Sequence, residues 1–306
     1  MTQARQSIDS EEFALDGVFN IDKPQGITSH DVVYTIRRLT GIRRVGHAGT
    51  LDPLATGVLL VCVGRATRLS EYLIGQDKSY RATIRLGQET DTYDAEGEVT
   101  ADKPVGVDEK AIESALAHFR GAIAQVPPMY SAVKKDGRPL YVLARQGIEI
   151  ERSPRLVTIY RLELISWNPP DLSLDITCSS GTYIRSLAHD LGRMLGCGGH
   201  ITALRRTSIG QFSIDEAIPL NELPAETYAQ YLQPADSAAA HLPAFQFSAE
   251  EAGRLQLGQR LARDIIQQPA NPFFRAYDNE GQFIGIVVAN EGYWQPHKIF
   301  HSTQKG

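Results

Sequence analysis

A chain of 306 residues, 42% apolar and 22% charged, suits one large globular domain with a small companion, or two of middling size. No run approaches the roughly 18–20 apolar residues of a membrane span, and the polar start, MTQARQSIDSEEF, lacks an apolar signal core, so a cytoplasmic protein with no membrane partner is expected. A net charge of −5 leaves any nucleic-acid contact to local basic patches.

In chain order, residues 17–21 read as a strand entering the turn Lys23-Pro24-Gln25-Gly26. Ser29 is placed to cap a helix with Val32, Val33, Ile36 and Leu39 on one face and Gly41 at its end. A glycine-punctuated loop, 46–57, feeds an apolar strand at 58–63, and a short helix follows at 66–73. Residues 79–86 alternate: Tyr80, Ala82, Ile84 and Leu86 face inward, opposite Arg81, Thr83 and Arg85. After an acidic loop, 91–98, Asp108 caps a helix with Ile112, Ala115, Leu116 and Phe119 on its buried side. A Pro- and Lys-containing insert, 125–155, precedes strands at 156–166 and 172–178. A helix over 182–195 follows, with Ile184, Leu187, Ala188, Leu191 and Met194 inward. Strands and helices without a regular βαβ beat predict an α+β fold with a mixed, largely antiparallel sheet. Residues 220–242 read as a helical or linker segment, and a helix at 248–257 and a hairpin over 273–288 predict a small β-rich module. The expected division is a polar tail at 1–12, a main domain at 13–245 and a C-terminal module at 246–306.

Asp52 stands between Leu51 and Pro53 in the loop Gly46-His47-Ala48-Gly49-Thr50-Leu51-Asp52-Pro53-Leu54-Ala55-Thr56-Gly57. Pro53 holds Asp52 extended. The segment by itself leaves two readings, a turn residue bonding nearby amides or a carboxylate poised at a strand edge. No Gly-Lys-Ser/Thr closes the loop, so it is no phosphate loop of the Walker kind. Arg185, in the first turn of a helix, makes sense facing an anion, or as a surface arginine. Lys134, Lys135, Arg138 and Arg145 interleave with Tyr130 and Tyr141 as a basic and aromatic patch suited to phosphates and bases, and Arg205 and Arg206 extend the positive surface. Asp91, Asp94 and Glu96 lack calcium-loop spacing. Cys62, Cys178 and Cys197 lie far apart with no histidine at ligand spacing, which favours buried thiols over zinc or disulfides.

Taken together and in order, NIDKPQGITSHDVV, GHAGTLDPLATGVL, KSYRATIRLG, TDTYDAEGEV, PPMYSAVKKDGRPLY, SSGTYIRSLAHDLG and ITALRRTSIGQF closely resemble the TruB family of tRNA pseudouridine synthases. The resemblance spans residues 17–212 and continues plausibly to the end. It implies a pseudouridine-synthase fold with a C-terminal module similar to PUA domains, and uridine 55 in the TΨC stem-loop of tRNA as substrate. It implies Asp52 as the catalytic carboxylate and Arg185 as its ion-pair partner, with an Asp52 pKa depressed or near normal. Tyr80 would stack on the flipped base and help remove its C5 proton, His47 would fill the vacated space, and Tyr183 and Leu204 would line the pocket. Lys23, Pro24, Lys134, Lys135 and Arg138 are its expected RNA contacts. The isomerisation has no redox change, so no cofactor or metal is expected, and a monomer suffices. The PPMYSAVKKDGRPLY insert favours the stand-alone bacterial type over the guide-RNA-dependent relative. Two other readings compete. A non-catalytic RNA-folding protein would not need Asp52, Tyr80 and Arg185 together, and a glycosidase would need a second carboxylate that the loop at 91–96 does not visibly offer.

Overall fold

A computed structural model describes residues 15–131, 133–135, 137–263 and 269–300. The first strand, β1 (Gly17–Lys23), is buried along nearly its whole length, and α1 (Ser29–Thr40) packs Val32, Val33 and Ile36 inward. The cap of α1 is Thr28, one residue earlier than expected, because Asp31 completes a capping box with it. Ser29, inside the helix, instead exchanges hydrogen bonds with the backbone of Leu51, donating to its oxygen at 2.9 Å and accepting from its nitrogen at 2.8 Å.

Next come β2 (Val45–His47), β3 (Thr56–Val63), a 3-10 turn at Gly64–Leu69, α2 (Ser70–Ile74) and β4 (Lys78–Leu86). The acidic loop lies between β5 (Gln88–Thr90) and β6 (Val99–Asp102). Helix α3 (Glu109–Ala117), capped by Asp108, leads to β7 (Gly121–Gln125). The insert forms the small hairpin β8 (Lys134–Lys135) and β9 (Arg138–Pro139), with α4 (Leu140–Ala144) behind it. Then β10 (Arg155–Asn168), β11 (Asp171–Cys178), α5 (Ile184–Met194) and β12 (Gly199–Ile209) complete the centre of the sheet. Met194 ends α5 and is 50% exposed rather than buried, while the next residue, Leu195, packs against the core.

The main sheet is mixed and largely antiparallel. Its backbone order is β1-β3-β12-β4-β11-β10-β7, with β12 parallel to β3 and antiparallel to β4. The late strand β12 thus occupies the middle. Four short strands join the sheet: β2 on β3, β13 (Phe212–Ser213) on β12, and β14 (Ile218–Pro219) and β15 (Leu232–Pro234) on β1. The segment read as helix or linker is therefore part of the sheet edge, interrupted by 3-10 turns at Leu220–Glu222, Tyr228–Tyr231 and Ala235–Ala239. One large core joins α1, α3, α5 and the inner residues of β3, β4 and β11.

The C-terminal module is a five-stranded sheet: β16 (Ala244–Gln246), β17 (Leu261–Ala262), β18 (Phe273–Tyr277), β19 (Phe283–Asn290) and β20 (Tyr293–Ile299). Helix α6 (Ala249–Gln256) starts from a Ser248–Glu251 capping box, and the β18–β19 hairpin turns at Asp278–Gly281, as the sequence indicated. Phe247, Leu255, Ala276 and Trp294 form its core. Among the described residues no helix is long and apolar enough to cross a membrane, and all three cysteines are free and buried.

Candidate active site

The Asp52 loop joins β2 to β3, and buried cations collect its carbonyl oxygens. Arg206, on β12 and 1% exposed, donates from Nε to Val58 O at 2.7 Å and from its two Nη atoms to Gly49 O at 3.1 Å and Thr50 O at 3.4 Å. Lys23, fully buried at the end of β1, donates to Pro24 O and Ile27 O at 2.8 Å and to Pro53 O at 3.4 Å. Burial brings the Lys23 ammonium down to about 8. Lys23 thus braces the loop from behind, whereas the neighbouring Pro24 is exposed. With Ser29 holding Leu51, the backbone on both sides of Asp52 is fixed before any ligand arrives. Gly57 permits this closeness: its φ is +100°, and a Cβ there would sit 2.2 Å from Arg206 O. Gly57→Ala is expected to cost about 3 kcal/mol or more through strain and overpacking, read by urea denaturation.

Arg185 opens α5 and is 7% exposed, not a surface arginine. Its Nε lies 3.0 Å from the Asp52 carboxylate, its Nη1 lies 3.4 Å from Asp94, and its two Nη atoms donate to Thr92 O at 3.0 Å and Tyr130 O at 2.6 Å. Asp94, 3% exposed, is held by Thr92 Oγ1 and the Glu96 amide. The acidic loop therefore does supply a second carboxylate, but as support for Arg185; Asp94 does not line the pocket. Asp52 does, with 38% of its side-chain surface open to it. Burial pushes its carboxyl above the ordinary carboxylate range, against the pull of Arg185 and with help from Asp94. The expectation of a depressed or near-normal pKa is thus overturned. The guanidinium is shared between two carboxylates and does not fully offset the desolvation of Asp52.

Tyr80 projects from β4 into the same space, 7% exposed, near enough to Arg206 for the cation to act on its phenol. Burial raises the phenol's pKa and the Arg206 cation opposes that rise. Asp52, Tyr80, Tyr183, Arg185 and Leu204 all line one pocket of about 300 Å³ together with Lys78 and Arg206. Lys78, brought by burial to about 8, donates to Ile74 O and Gln76 O. Five of the residues singled out in the sequence are therefore brought together.

The others lie elsewhere. His47 is half-buried in β2, not on a free loop; burial and Arg206 hold its imidazole below the usual range, and its buried Nδ1 has no hydrogen-bond partner among the described residues. Lys134, Lys135 and Arg138 belong to the β8–β9 hairpin, with Arg138 exposed. Arg205 and Arg206 do not extend a positive surface: Arg205 pairs with Asp22 at 2.7 Å and Arg206 is interior. Arg206, Lys78 and Asp94 were missed as site residues. Among the described residues no cluster of three His, Cys, Asp or Glu side chains forms a metal site.

The fold and the carboxylate pocket define a class before a family. The chain aligns over 92% of its length, and 80% of the other chain, with a structure described as a Cbf5-Nop10-Gar1 complex, at a TM-score of 0.71 and 28% identity. It shares the fold of an H/ACA RNP bound to a substrate RNA containing 2′-deoxyuridine, at a TM-score of 0.72 and 24% identity over 95% of this chain and 87% of that one. Residues 37–184 match the profile described as TruB family pseudouridylate synthase (N terminal domain). Residues 185–240 match the tRNA pseudouridylate synthase B C-terminal domain, and 243–300 match Pseudouridine synthase II TruB, C-terminal. The chain is 50% identical to tRNA pseudouridine synthase B of Aromatoleum aromaticum, over 89% of this chain and 88% of that protein. It is 44% identical to the protein of that name from Haemophilus influenzae, over 95% of each. It belongs to the TruB family of tRNA pseudouridine synthases and is an isomerase.

Proposed function

We propose that the chain converts uridine 55 in the TΨC loop of tRNA to pseudouridine, without a guide RNA, with Asp52 as its essential carboxylate. The observation that carries this reading is the Asp52–Arg185 ion pair on the floor of a pocket that also holds Tyr80. Relatives 44–50% identical and named for tRNA support the substrate class.

The reaction breaks the N1–C1′ bond, turns the uracil and forms a C5–C1′ bond, after which C5 loses a proton and N1 gains one. The target lies inside a folded loop, so the nucleotide is flipped out at a cost of a few kcal/mol. His47, kept neutral by its surroundings, fills the space it leaves. Asp52 labilises the glycosidic bond by adding to C1′ or C6 or by taking the 2′ proton. Tyr80 stacks on the base, and its oxygen, as a phenolate held by the Arg206 countercharge, takes the C5 proton and becomes the neutral phenol. Tyr183 and Leu204 enclose the base. The insert bearing Lys134, Lys135 and Arg138 and the module at 246–306 hold the rest of the RNA, so binding weakens steeply with salt despite the acidic composition.

Tyr80→Phe is expected to bind tRNA normally and to lose about 10²–10⁴-fold in turnover, the share of general acid–base catalysis. Release of tritium from C5-labelled uridine reads this step. The decisive experiment treats one unmodified tRNA transcript with the purified chain and maps pseudouridine in it. Pseudouridine at position 55 supports the reading, and a transcript left unmodified sinks it.

A further inference from the structure

The segment between the two halves of the Asp52 frame is unusually cationic for an acidic chain. Residues 30–47 carry Arg37, Arg38, Arg43, Arg44, His30 and His47 against a single carboxylate, Asp31. That carboxylate is committed to Thr28 in the capping box. Arg37 is engaged with Val45 O at 2.7 Å, whereas Arg38, Arg43 and Arg44 are exposed and make no ion pair among the described residues. On α1, His30, Tyr34 and Arg38 recur every four residues and so form one stripe about 12 Å long. Tyr34 is 59% exposed, an aromatic ring that packs under no core residue, and the Arg38 guanidinium lies 5.9 Å from its centre. The stripe starts next to Ser29, whose hydroxyl is bonded to Leu51 beside Asp52.

We propose that this stripe, His30, Tyr34 and Arg38 continued by Arg43 and Arg44, is a track for the RNA strand flanking the flipped nucleotide. Tyr34 offers a stacking face to one unpaired base, and the three arginines meet phosphates. An exposed ring beside unpaired guanidinium groups fits single-stranded nucleic acid, which presents both π-faces and charge. The inference rests on the pseudouridine-synthase reading for its RNA, but the contact itself is measured by binding.

The test titrates an unmodified tRNA transcript with the wild-type chain, with Tyr34→Ala, with Tyr34→Phe and with the triple variant Arg38→Ala, Arg43→Ala, Arg44→Ala. Arg161→Ala is the charge control: it removes one exposed cation from β10, four strands from β3 in the sheet. Tyr34→Ala is expected to raise Kd and KM about tenfold, with Tyr34→Phe restoring both, as loss of one stacked base requires. The triple variant is expected to flatten the slope of log Kd against log salt by about two. In both cases the loss falls on KM rather than on the saturating rate constant. Circular dichroism verifies that each variant is folded. Wild-type Kd and salt slope in Tyr34→Ala and the triple variant would overturn the track, as would an equal loss in Arg161→Ala. A wild-type chain that binds the transcript but forms no pseudouridine would defeat the catalytic reading, while the titrations still decide the track.

Discussion

Asp52→Asn is expected to lower pseudouridine formation by on the order of 10⁴-fold or more, as removal of a reacting carboxylate does, while tRNA affinity is retained. The same substitution is expected to leave the melting temperature unchanged or to raise it. The reason is the sign of the Asp52 shift. Its carboxyl titrates above the ordinary range in the folded chain because burial disfavours the charged form. A group with a raised folded pKa contributes its full stability below the unfolded value and loses it as pH rises through the folded one. Near neutral pH, the ionised Asp52 therefore opposes folding, and the neutral amide removes that opposition. On the proposed mechanism activity runs the other way: it needs the anion, so single-turnover rates should rise with pH through the same elevated value and then level. Chemistry and stability thus compete at one carboxyl. A melting temperature well below wild type in Asp52→Asn, or a rate that falls as pH rises through that range, would contradict this account.

Arg185→Ala is expected to be the most damaging single change to both fold and function. It leaves Asp94 buried without its cation and two backbone acceptors, Thr92 O and Tyr130 O, without their donor. Breaking a buried pair in this way costs about 3–5 kcal/mol, and denaturant unfolding should show a loss of that size. Arg185→Lys separates charge from geometry. An ammonium is a point donor and cannot reach two carboxylates and two carbonyls from one position. It should recover part of the stability while turnover stays about 10²-fold down, because Asp52 is then no longer oriented. Full activity in Arg185→Lys would show that only charge is needed.

The contrast between Tyr80 and Arg206 shows what the sequence could and could not disclose. Tyr80 sits on β4, where strict alternation predicts the buried face and the structure keeps it, residue by residue. Arg206 sits on the adjacent β12, where the register against β4 shifts between Ile201 and Ala203 and again between Arg206 and Ser208. Each shift breaks the two-residue period, so the strand has no readable face, and a pair of arginines looks like surface. Asp94 was hidden for another reason. Its partner Arg185 is remote in the chain, and no local spacing rule links a carboxylate in a turn to the first turn of a distant helix. The Asp52 loop was legible because its glycines and proline constrain the backbone locally. Which groups face its carboxylate depended on contacts that only the fold supplies.

The central place of β12 bears on how the chain is made. During synthesis β1, β3, β4, β10 and β11 emerge before the strand that joins β3 to β4. Until residue 209 has left the ribosome, the nascent chain holds two sheet fragments whose facing edges are unpaired and open to misassociation. A premature stop before Gly199 should therefore yield no partly active enzyme but an aggregation-prone fragment. The carbonyls of Gly49, Thr50 and Val58 near Asp52 would lack the Arg206 side chain that gathers them.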